Sequence, residues 1–310
     1  MKNFLLALLS VSALIFAVFY LRDVVNRRKV FSKVSWLPLS GIGFVTNFFD
    51  TLGIGSFAPT TSFYKFTKTV DDRVIPGTLN VGHCLPVVAQ ALIYIKVVEV
   101  DFVTLISIML AATIGAVLGA GVVAKMPVKK IRLGLGLALL LVAFVMTAKS
   151  LNLFNLFPPE QAVKALAEKG VMLTKSLTGW KLIVAVIVSF IFGALQTIGI
   201  GFYAPCMALV FALGMDPRMA YPIMTGSCAL LMPWCSLRFI KEASYDPKAA
   251  IGLTGLGIIG VLFAAYIVKS LPLKILTWVV VVVILYTSII MLRSVKKKES
   301  VQTPAEACKT

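Results

Sequence analysis

A glycine-rich element occurs twice in this chain, each time inside an apolar segment long enough to cross a membrane. The first copy, DTLGIGSFAP, occupies residues 50–59, and the second, QTIGIGFYAP, occupies residues 196–205. Trp36 and Trp180 precede the two copies by similar distances. Because matching residues keep a constant spacing, the chain contains an internal duplication. Glycine and proline both disfavour a continuous helix, so each copy predicts a helix break within a hydrophobic segment.

The composition is that of an integral membrane protein. The chain has 310 residues, of which 59% are hydrophobic and 14% are charged. Several apolar runs reach about 20 residues, the length that spans roughly 30 Å of hydrocarbon. A net charge of +17 is also typical of nucleic-acid binding, but Lys and Arg lie mostly between the apolar runs, as topology determinants do. We therefore expect the lipid bilayer, and not nucleic acid, as a partner.

The apolar runs divide the chain into an anchor, two repeats, a linker and a tail. The predicted boundaries are 1–35 for an N-terminal signal-anchor helix and basic loop, 36–148 for repeat 1, 149–179 for the inter-repeat linker, 180–292 for repeat 2 and 293–310 for a polar C-terminal tail. Basic residues follow the first apolar segment, Phe4–Tyr20, which favours an uncleaved anchor with its N-terminus outside over a cleaved signal peptide. Residues 161–169 predict a short surface helix, either a gate or a plain connector.

Each glycine-rich stretch either crosses the membrane once or folds back as a hairpin. Trp180–Met215 is apolar over about 35 residues, and a single helix of that length would measure about 52 Å, too long for one crossing. With hairpins, each repeat holds five segments, and this odd number inverts one repeat relative to the other. We therefore predict an all-α polytopic membrane protein: an N-terminal anchor helix plus two inverted repeats, each with a Gly-broken helical hairpin and three further transmembrane helices.

The two breaks together form the predicted substrate site. Unpaired backbone groups cost several kcal/mol in hydrocarbon, so a helix breaks there only where protein, water or substrate satisfies them. A helix that starts after a break offers free N–H groups and the positive end of its dipole to an anion. Alternatively, the glycines only allow close helix packing. The predicted substrate-binding residues are Asn47, Asp50, Thr51, Gly53, Gly55, Thr60, Asn80, His83, Gln196, Thr197, Gly199, Gly201, Thr225 and Ser227.

Asp50 and His83 are the candidates for proton coupling. Asp50 occupies the position that the neutral Gln196 has in the second copy. An ionised carboxylate repels an anion, whereas a protonated Asp50 could couple proton and substrate movement. Asp50 could instead cap the following helix or face water. His83 is the only histidine and lies one turn after Asn80; it is either a relay or a hydrogen-bonded core residue.

The sequence contains no motif for a metal, a cofactor or ATP. The five cysteines form no CxxC and no cluster with histidine, so we expect no metal site and free buried thiols. A Walker motif is also missing, so ATP is not used directly. We expect no cofactor.

With these features the chain resembles the sulfite exporter TauE/SafE family of bacterial membrane permeases. The resemblance covers roughly residues 36–292 and rests on the two GIG elements, each followed by Ala-Pro, and on a second helix with a Thr/Ser patch. In the family the element often continues as GIGGG, whereas here bulky residues follow, which indicates a divergent subgroup. The resemblance implies a multi-pass protein of the bacterial inner (plasma) membrane that moves a small sulfur-containing anion such as sulfite or an organosulfonate.

The predicted function is a secondary transporter (permease) of a small anion, with proton coupling as a candidate mechanism. An anion channel is the alternative, because duplicated broken helices also serve channels. An integral-membrane enzyme using Asp50 and His83 is a third hypothesis, but the chain lacks a second carboxylate, a nucleophile with its base, or metal-ligand spacing. We therefore expect no enzymatic activity. A homodimer is compatible with the sequence but not required by it.

Overall fold

The regular elements of the protein are helices. The computed structural model describes residues 2–97, 100–150, 176–215 and 219–266, together with several residues between 278 and 293. The surface helix predicted at 161–169 and nearly all of the predicted tail lie outside the described residues. The helices are α1 (Lys2–Asn26), α2 (Trp36–Thr51), α3 (Phe57–Thr67), α4 (Ile75–Val97), α5 (Phe102–Val123), α6 (Val128–Ser150), α7 (Trp180–Gln196), α8 (Tyr203–Ala212), α9 (Ala220–Lys241) and α10 (Pro247–Tyr266).

Within the described part of the chain, five helices are long and apolar enough to cross a membrane. They are α1, α4, α5, α9 and α10, and α7 is a shorter helix of the same apolar character. Large apolar side chains on the outer faces of these helices are exposed, as expected of surfaces that contact lipid. This is the architecture of an all-helical, multi-pass membrane protein.

The helix is interrupted at both glycine-rich elements. Residues 52–56 separate α2 from α3, and residues 197–202 separate α7 from α8. The backbone φ is +87° at Gly53, +92° at Gly55 and +112° at Gly199. Residues other than glycine rarely adopt such φ values because the Cβ atom meets the backbone. These glycines therefore permit the turns that end one helix and begin the next.

The helices of each repeat pack against helices of the other repeat. α2 lies against α10, and α7 lies against α5. In the first pair Gly260 faces the main chain of Phe44, and in the second pair Gly115 faces the main chain of Phe190. A Cβ atom on either glycine would overlap the carbonyl oxygen of its phenylalanine. The small-residue faces of α5 and α10 thus bring two backbones into close contact, a common form of helix packing in membranes.

The central helices α4 and α9, which correspond in the two repeats, run antiparallel. Near the start of α4, the side-chain oxygen of Asn80 accepts a hydrogen bond from the thiol of Cys235, which lies towards the end of α9 (3.4 Å). Near the end of α4, Ile95 lies beside Gly226, which is near the start of α9. The two helices therefore form an antiparallel pair at the centre of the bundle.

The first broken stretch lies along α4. At the end of α2, the carbonyl oxygen of Thr51 accepts a hydrogen bond from the hydroxyl of Tyr94, near the end of α4 (2.6 Å). The first turn of α3 packs against His83, in the middle of α4. At the end of α3, Lys65 binds the carboxylate of Asp72, which precedes α4 (2.7 Å). α2 and α3 consequently share one helical neighbour.

Several basic segments gather at one end of the bundle. Lys125, after α5, pairs with Glu242, after α9 (3.5 Å). Arg132, in the first turn of α6, binds the same Asp72 carboxylate as α3 does (2.8 Å). Lys248, at the start of α10, donates a hydrogen bond to a carbonyl oxygen in the segment after α1 (3.0 Å). The loops after α1, α3, α5 and α9 therefore lie near one another.

Candidate functional site

A cavity lies between the two helix breaks and is lined by corresponding residues of both. From the first element it is lined by Asp50, Ile54, Gly55, Ser56, Phe57 and Ala58, and from the second by Gln196, Gly201, Phe202 and Tyr203. Val87 of α4 and Cys228 and Met232 of α9 complete the wall. Asp50 and Gln196, Gly55 and Gly201, and Phe57 and Tyr203 are matched pairs of the duplication. The cavity therefore lies where the two repeats meet.

The cavity is small and its wall is largely apolar. The volume of the cavity is about 50 Å³, and one water needs roughly 10–15 Å³ of such a volume. This space suits a ligand of a few heavy atoms. Because the wall offers few polar groups, those groups fix what the cavity can bind.

Two helices begin at the cavity wall. The first hydrogen bonds within α3 and α8 come from the N–H groups of Thr60 and Cys206. Pro59 and Pro205, directly before them, have no N–H group, so the N–H groups that the helices leave unused are those of the first two residues of each helix. Ser56, the N-cap residue of α3, gives no side-chain cap. The second helix likewise begins at the wall, with Tyr203 as its first residue. Two positive helix ends thus approach the same small space.

Gln196 adds a side-chain donor to this wall. It is 2% exposed, and its Oε1 atom accepts a weak hydrogen bond from the thiol of Cys228 (3.5 Å). Gln196 lines the cavity, and its side-chain amide carries two N–H groups that can donate to a ligand there.

Asp50 is the one carboxyl group among the described residues of the cavity wall, and it is buried. Its exposure is 3%, and its Oδ2 atom has no hydrogen-bond partner within the described part of the chain. Ser56 and the hydroxyl of Tyr203 face the carboxyl group. Of the alternatives from the sequence, exposure of Asp50 to bulk water is excluded by its burial. Ser56 is the N-cap residue of α3, but its main-chain N–H contacts the Asp50 carboxyl group, so a contribution of Asp50 to the start of α3 stays open. The described residues of the wall include no Lys, Arg or His, so an ionised Asp50 would have no compensating charge among them.

Gln90 of α4 connects Asp50 with Tyr203. Its amide nitrogen donates a hydrogen bond to the main-chain oxygen of Asp50 (3.3 Å), and its Oε1 atom accepts one from the Tyr203 hydroxyl (3.0 Å). Neither Gln90 nor Tyr203 was among the predicted site residues. The sequence signal for Tyr203 was its position inside the second glycine-rich element, whereas Gln90 had no signal beyond being polar in an apolar segment.

His83 lies in a closed hydrogen-bonded group. Its Nδ1 atom is 2.9 Å from Oδ1 of Asn47, and its Nε2 atom is 3.0 Å from the hydroxyl of Thr60. The Asn47 amide nitrogen donates to the carbonyl oxygen of Gly43 (2.8 Å), so its oxygen must accept and the His83 Nδ1–H donates. The Thr60 hydroxyl can then donate to Nε2 of a neutral imidazole. His83 is thus fully hydrogen-bonded behind the cavity wall and does not line it.

The structure separates the predicted site residues into two groups. Asp50, Gly55, Gln196 and Gly201 line the cavity. The hydroxyls of Thr51 and Thr197 donate to carbonyl oxygens of their own helices (2.9 and 2.6 Å) and are not part of the wall. The remaining predicted residues, which lie outside the cavity lining, are Asn47, Gly53, Thr60, Asn80, His83, Gly199, Thr225 and Ser227.

A comparison with known families supports the resemblance stated above. The family model described as Sulfite exporter TauE/SafE matches residues 181–309, which include α7–α10 and the second glycine-rich element. No curated protein matches the chain, and no solved structure does. The comparison thus confirms the resemblance to this family over the second repeat.

Proposed function

We propose that this chain is a secondary transporter (permease) that moves a small sulfur-containing anion, such as sulfite or an organosulfonate, across the bacterial inner membrane. The observation that carries the proposal is the convergence of two helix N-termini and the Gln196 amide on one small cavity. All of these groups are hydrogen-bond donors without a full charge. The match of the second repeat to the family model of sulfite exporters supports the choice of substrate class.

Neutral donors suit an anion that must be both bound and released. Main-chain N–H groups at a helix start carry a partial positive charge and approach the ligand without a side chain in between. A site in a transporter must bind well enough to admit the ion but weakly enough to release it. Uncharged donors meet both demands better than a buried Lys or Arg, which would hold the anion as an ion pair.

Asp50 supplies the proposed proton coupling. An ionised carboxylate within this small cavity would repel an anion, since none of the lining residues that the structure describes is positively charged. A protonated Asp50 would instead remove that repulsion and add an O–H donor. Anion binding and proton binding therefore favour each other, which is the requirement for moving the two together.

The proposed architecture is a pair of inverted repeats. Corresponding helices related by an axis along the membrane normal would run in the same direction, whereas α4 and α9 run antiparallel. The packing between the repeats supports the same relation. α2 of the first repeat packs on α10 of the second, just as α7 of the second repeat packs on α5 of the first. An axis in the membrane plane accounts for both features and passes near the cavity where the matched breaks meet.

Each broken stretch is proposed to fold back as a hairpin. The end of α2 lies near the end of α4, the start of α3 lies at the middle of α4, and α3 ends near the start of α4. A reversal at the first break explains these contacts, and it explains why the basic turn after α5 lies at the same end as the loop after α1. By the positive-inside rule that end is cytoplasmic.

Uptake into proteoliposomes tests the proposed function. The purified chain would be reconstituted, and entry of labelled sulfite, organosulfonates and small carboxylates would be measured with and without an imposed pH gradient. We expect saturable uptake of the sulfur anions that responds to the gradient. A current that rises linearly with voltage would instead indicate a channel, chemical conversion of the anion would indicate an enzyme, and uptake no faster than into empty vesicles would refute transport of these anions.

A further inference from the structure

The Gln90 side chain joins the two helix breaks at the cavity. It is 1% exposed and lies on α4 of the first repeat, where its amide nitrogen bonds the main chain of Asp50 at the end of α2. Its amide oxygen bonds Tyr203, the first residue of α8 in the second repeat. One buried side chain is thus hydrogen-bonded to the flanks of both breaks.

The directions of these hydrogen bonds follow from the chemistry of the groups. The main-chain oxygen of Asp50 can only accept, so the amide nitrogen of Gln90 must face it. The amide oxygen of Gln90 then faces Tyr203 and can only accept, so the Tyr203 hydroxyl donates its hydrogen to Gln90. A phenol has a single O–H hydrogen. While this bond exists, Tyr203 can offer only lone pairs to any other neighbour.

The Asp50 carboxyl group is that other neighbour. The Tyr203 hydroxyl faces it, and Ser56 in the break contacts it through its hydroxyl and its main-chain N–H. The uncharged Tyr94 and Cys228, on α4 and α9, lie near enough to interact with it electrostatically. An ionised carboxylate has only acceptors, so it would face the Tyr203 lone pairs unfavourably. A neutral carboxyl group has one O–H donor and fits this contact.

Building on the proposed function, we propose that Gln90 is a positioning residue that couples the protonation of Asp50 to the contact between the two repeats. When Gln90 holds the Tyr203 hydroxyl, Asp50 is held in its neutral form and the two breaks are joined. When Tyr203 leaves Gln90, its hydroxyl can donate to an ionised Asp50. Release of the proton and separation of α8 from α4 therefore favour each other.

Infrared titration of Asp50 tests this coupling directly. The C=O band of its neutral carboxyl group would be followed against pH in the purified full chain, with Asp50→Asn to identify the band. Gln90→Met keeps an unbranched side chain of similar length but frees the Tyr203 hydroxyl. We expect it to move the Asp50 midpoint to lower pH by about one unit or more, because a hydrogen bond donated to the ionised form favours that form.

A second substitution distinguishes this mechanism from a general disturbance. Tyr203→Phe removes the hydroxyl, so we expect no shift to lower pH, and the double variant Gln90→Met/Tyr203→Phe should titrate like Tyr203→Phe alone. Thr113→Val, which removes a hydroxyl bonded only to its own helix, controls for loss of a polar group. An unshifted midpoint in folded Gln90→Met, or a shift that persists without the Tyr203 hydroxyl, would overturn the inference.

The titration needs no substrate, so its outcome is independent of whether an anion is transported. A Gln90-dependent midpoint without anion uptake would refute the proposed function and leave this coupling intact. Anion uptake together with an Asp50 midpoint that does not depend on Gln90 would refute this coupling and leave the proposed function intact.

Discussion

The substitution Gly201→Ala is expected to weaken anion binding at the cavity without lowering the stability of the fold. Gly201 lines the cavity, its φ lies outside the left-handed region, and no heavy atom lies within 4 Å of an added Cβ. Alanine at such a position restricts the unfolded chain and stabilises a protein by about 0.4–1 kcal/mol. The new methyl group therefore enters the cavity without straining the backbone.

The size of the effect follows from the volume of the cavity. One methyl group is similar in size to a water, which needs roughly 10–15 Å³ of the about 50 Å³ that the cavity offers. At least about a quarter of the space is therefore lost beside the N–H groups of the second break. We expect the dissociation constant for sulfite to rise at least about tenfold, which corresponds to about 1.4 kcal/mol.

Two other glycines provide matched comparisons. At Gly199, φ is +112° and an added Cβ would lie 2.7 Å from Cδ2 of Leu135, so Gly199→Ala should lower stability by about 1–3 kcal/mol. Gly255, on the exposed face of α10, has no heavy atom within 4 Å of an added Cβ, so Gly255→Ala should leave binding unchanged. Calorimetric titration of each purified variant with sulfite measures its affinity, and thermal unfolding measures its stability. Wild-type affinity in folded Gly201→Ala would refute the assignment of the cavity as the anion site.

Three further predictions concern the proton, the hydroxyls and the topology. Transport by the wild-type chain should fall with rising pH, and Asp50→Asn should remove this dependence, measured as uptake against pH. An unchanged pH profile would exclude Asp50 as the coupling group. Thr51→Val and Thr197→Val should change sulfite affinity by less than about 0.5 kcal/mol, because their hydroxyls bond their own helices; a tenfold loss in calorimetric titration would contradict this. Single cysteines at Lys33 and Thr178, in a background without other cysteines, should react with an impermeant reagent from opposite faces, and labelling from the same face would refute inverted repeats.

The helix breaks could be predicted from the sequence, but the directions of the side chains around them could not. Gly53 and Gly199 adopt positive φ, which local sequence indicates because few other residues tolerate it. Thr51 and Thr197 are equally polar and equally close to the breaks, yet their hydroxyls bond the preceding helical turn. Which face of a helix lines a cavity depends on its rotation in the bundle, which only tertiary packing determines.

The contacts that cross between the repeats were also beyond sequence reasoning. Gln90 and Tyr203 are 113 residues apart, and nothing local to either predicts that they meet. His83 was a candidate for proton coupling because it is the only histidine. The structure shows it bonded to Asn47 and Thr60 behind the wall, an arrangement that depends on how α2, α3 and α4 pack.

The position of the bound anion tests the central claim most directly. Selenite is the heavier congener of sulfite, and its selenium atom can be located by anomalous X-ray scattering from crystals of the protein grown with it. We predict an anomalous peak in the cavity, between Gly55 and Gly201 and within hydrogen-bonding distance of the Gln196 amide. A peak elsewhere in the protein with the cavity empty, at a selenite concentration that competes fully with sulfite, would contradict the account.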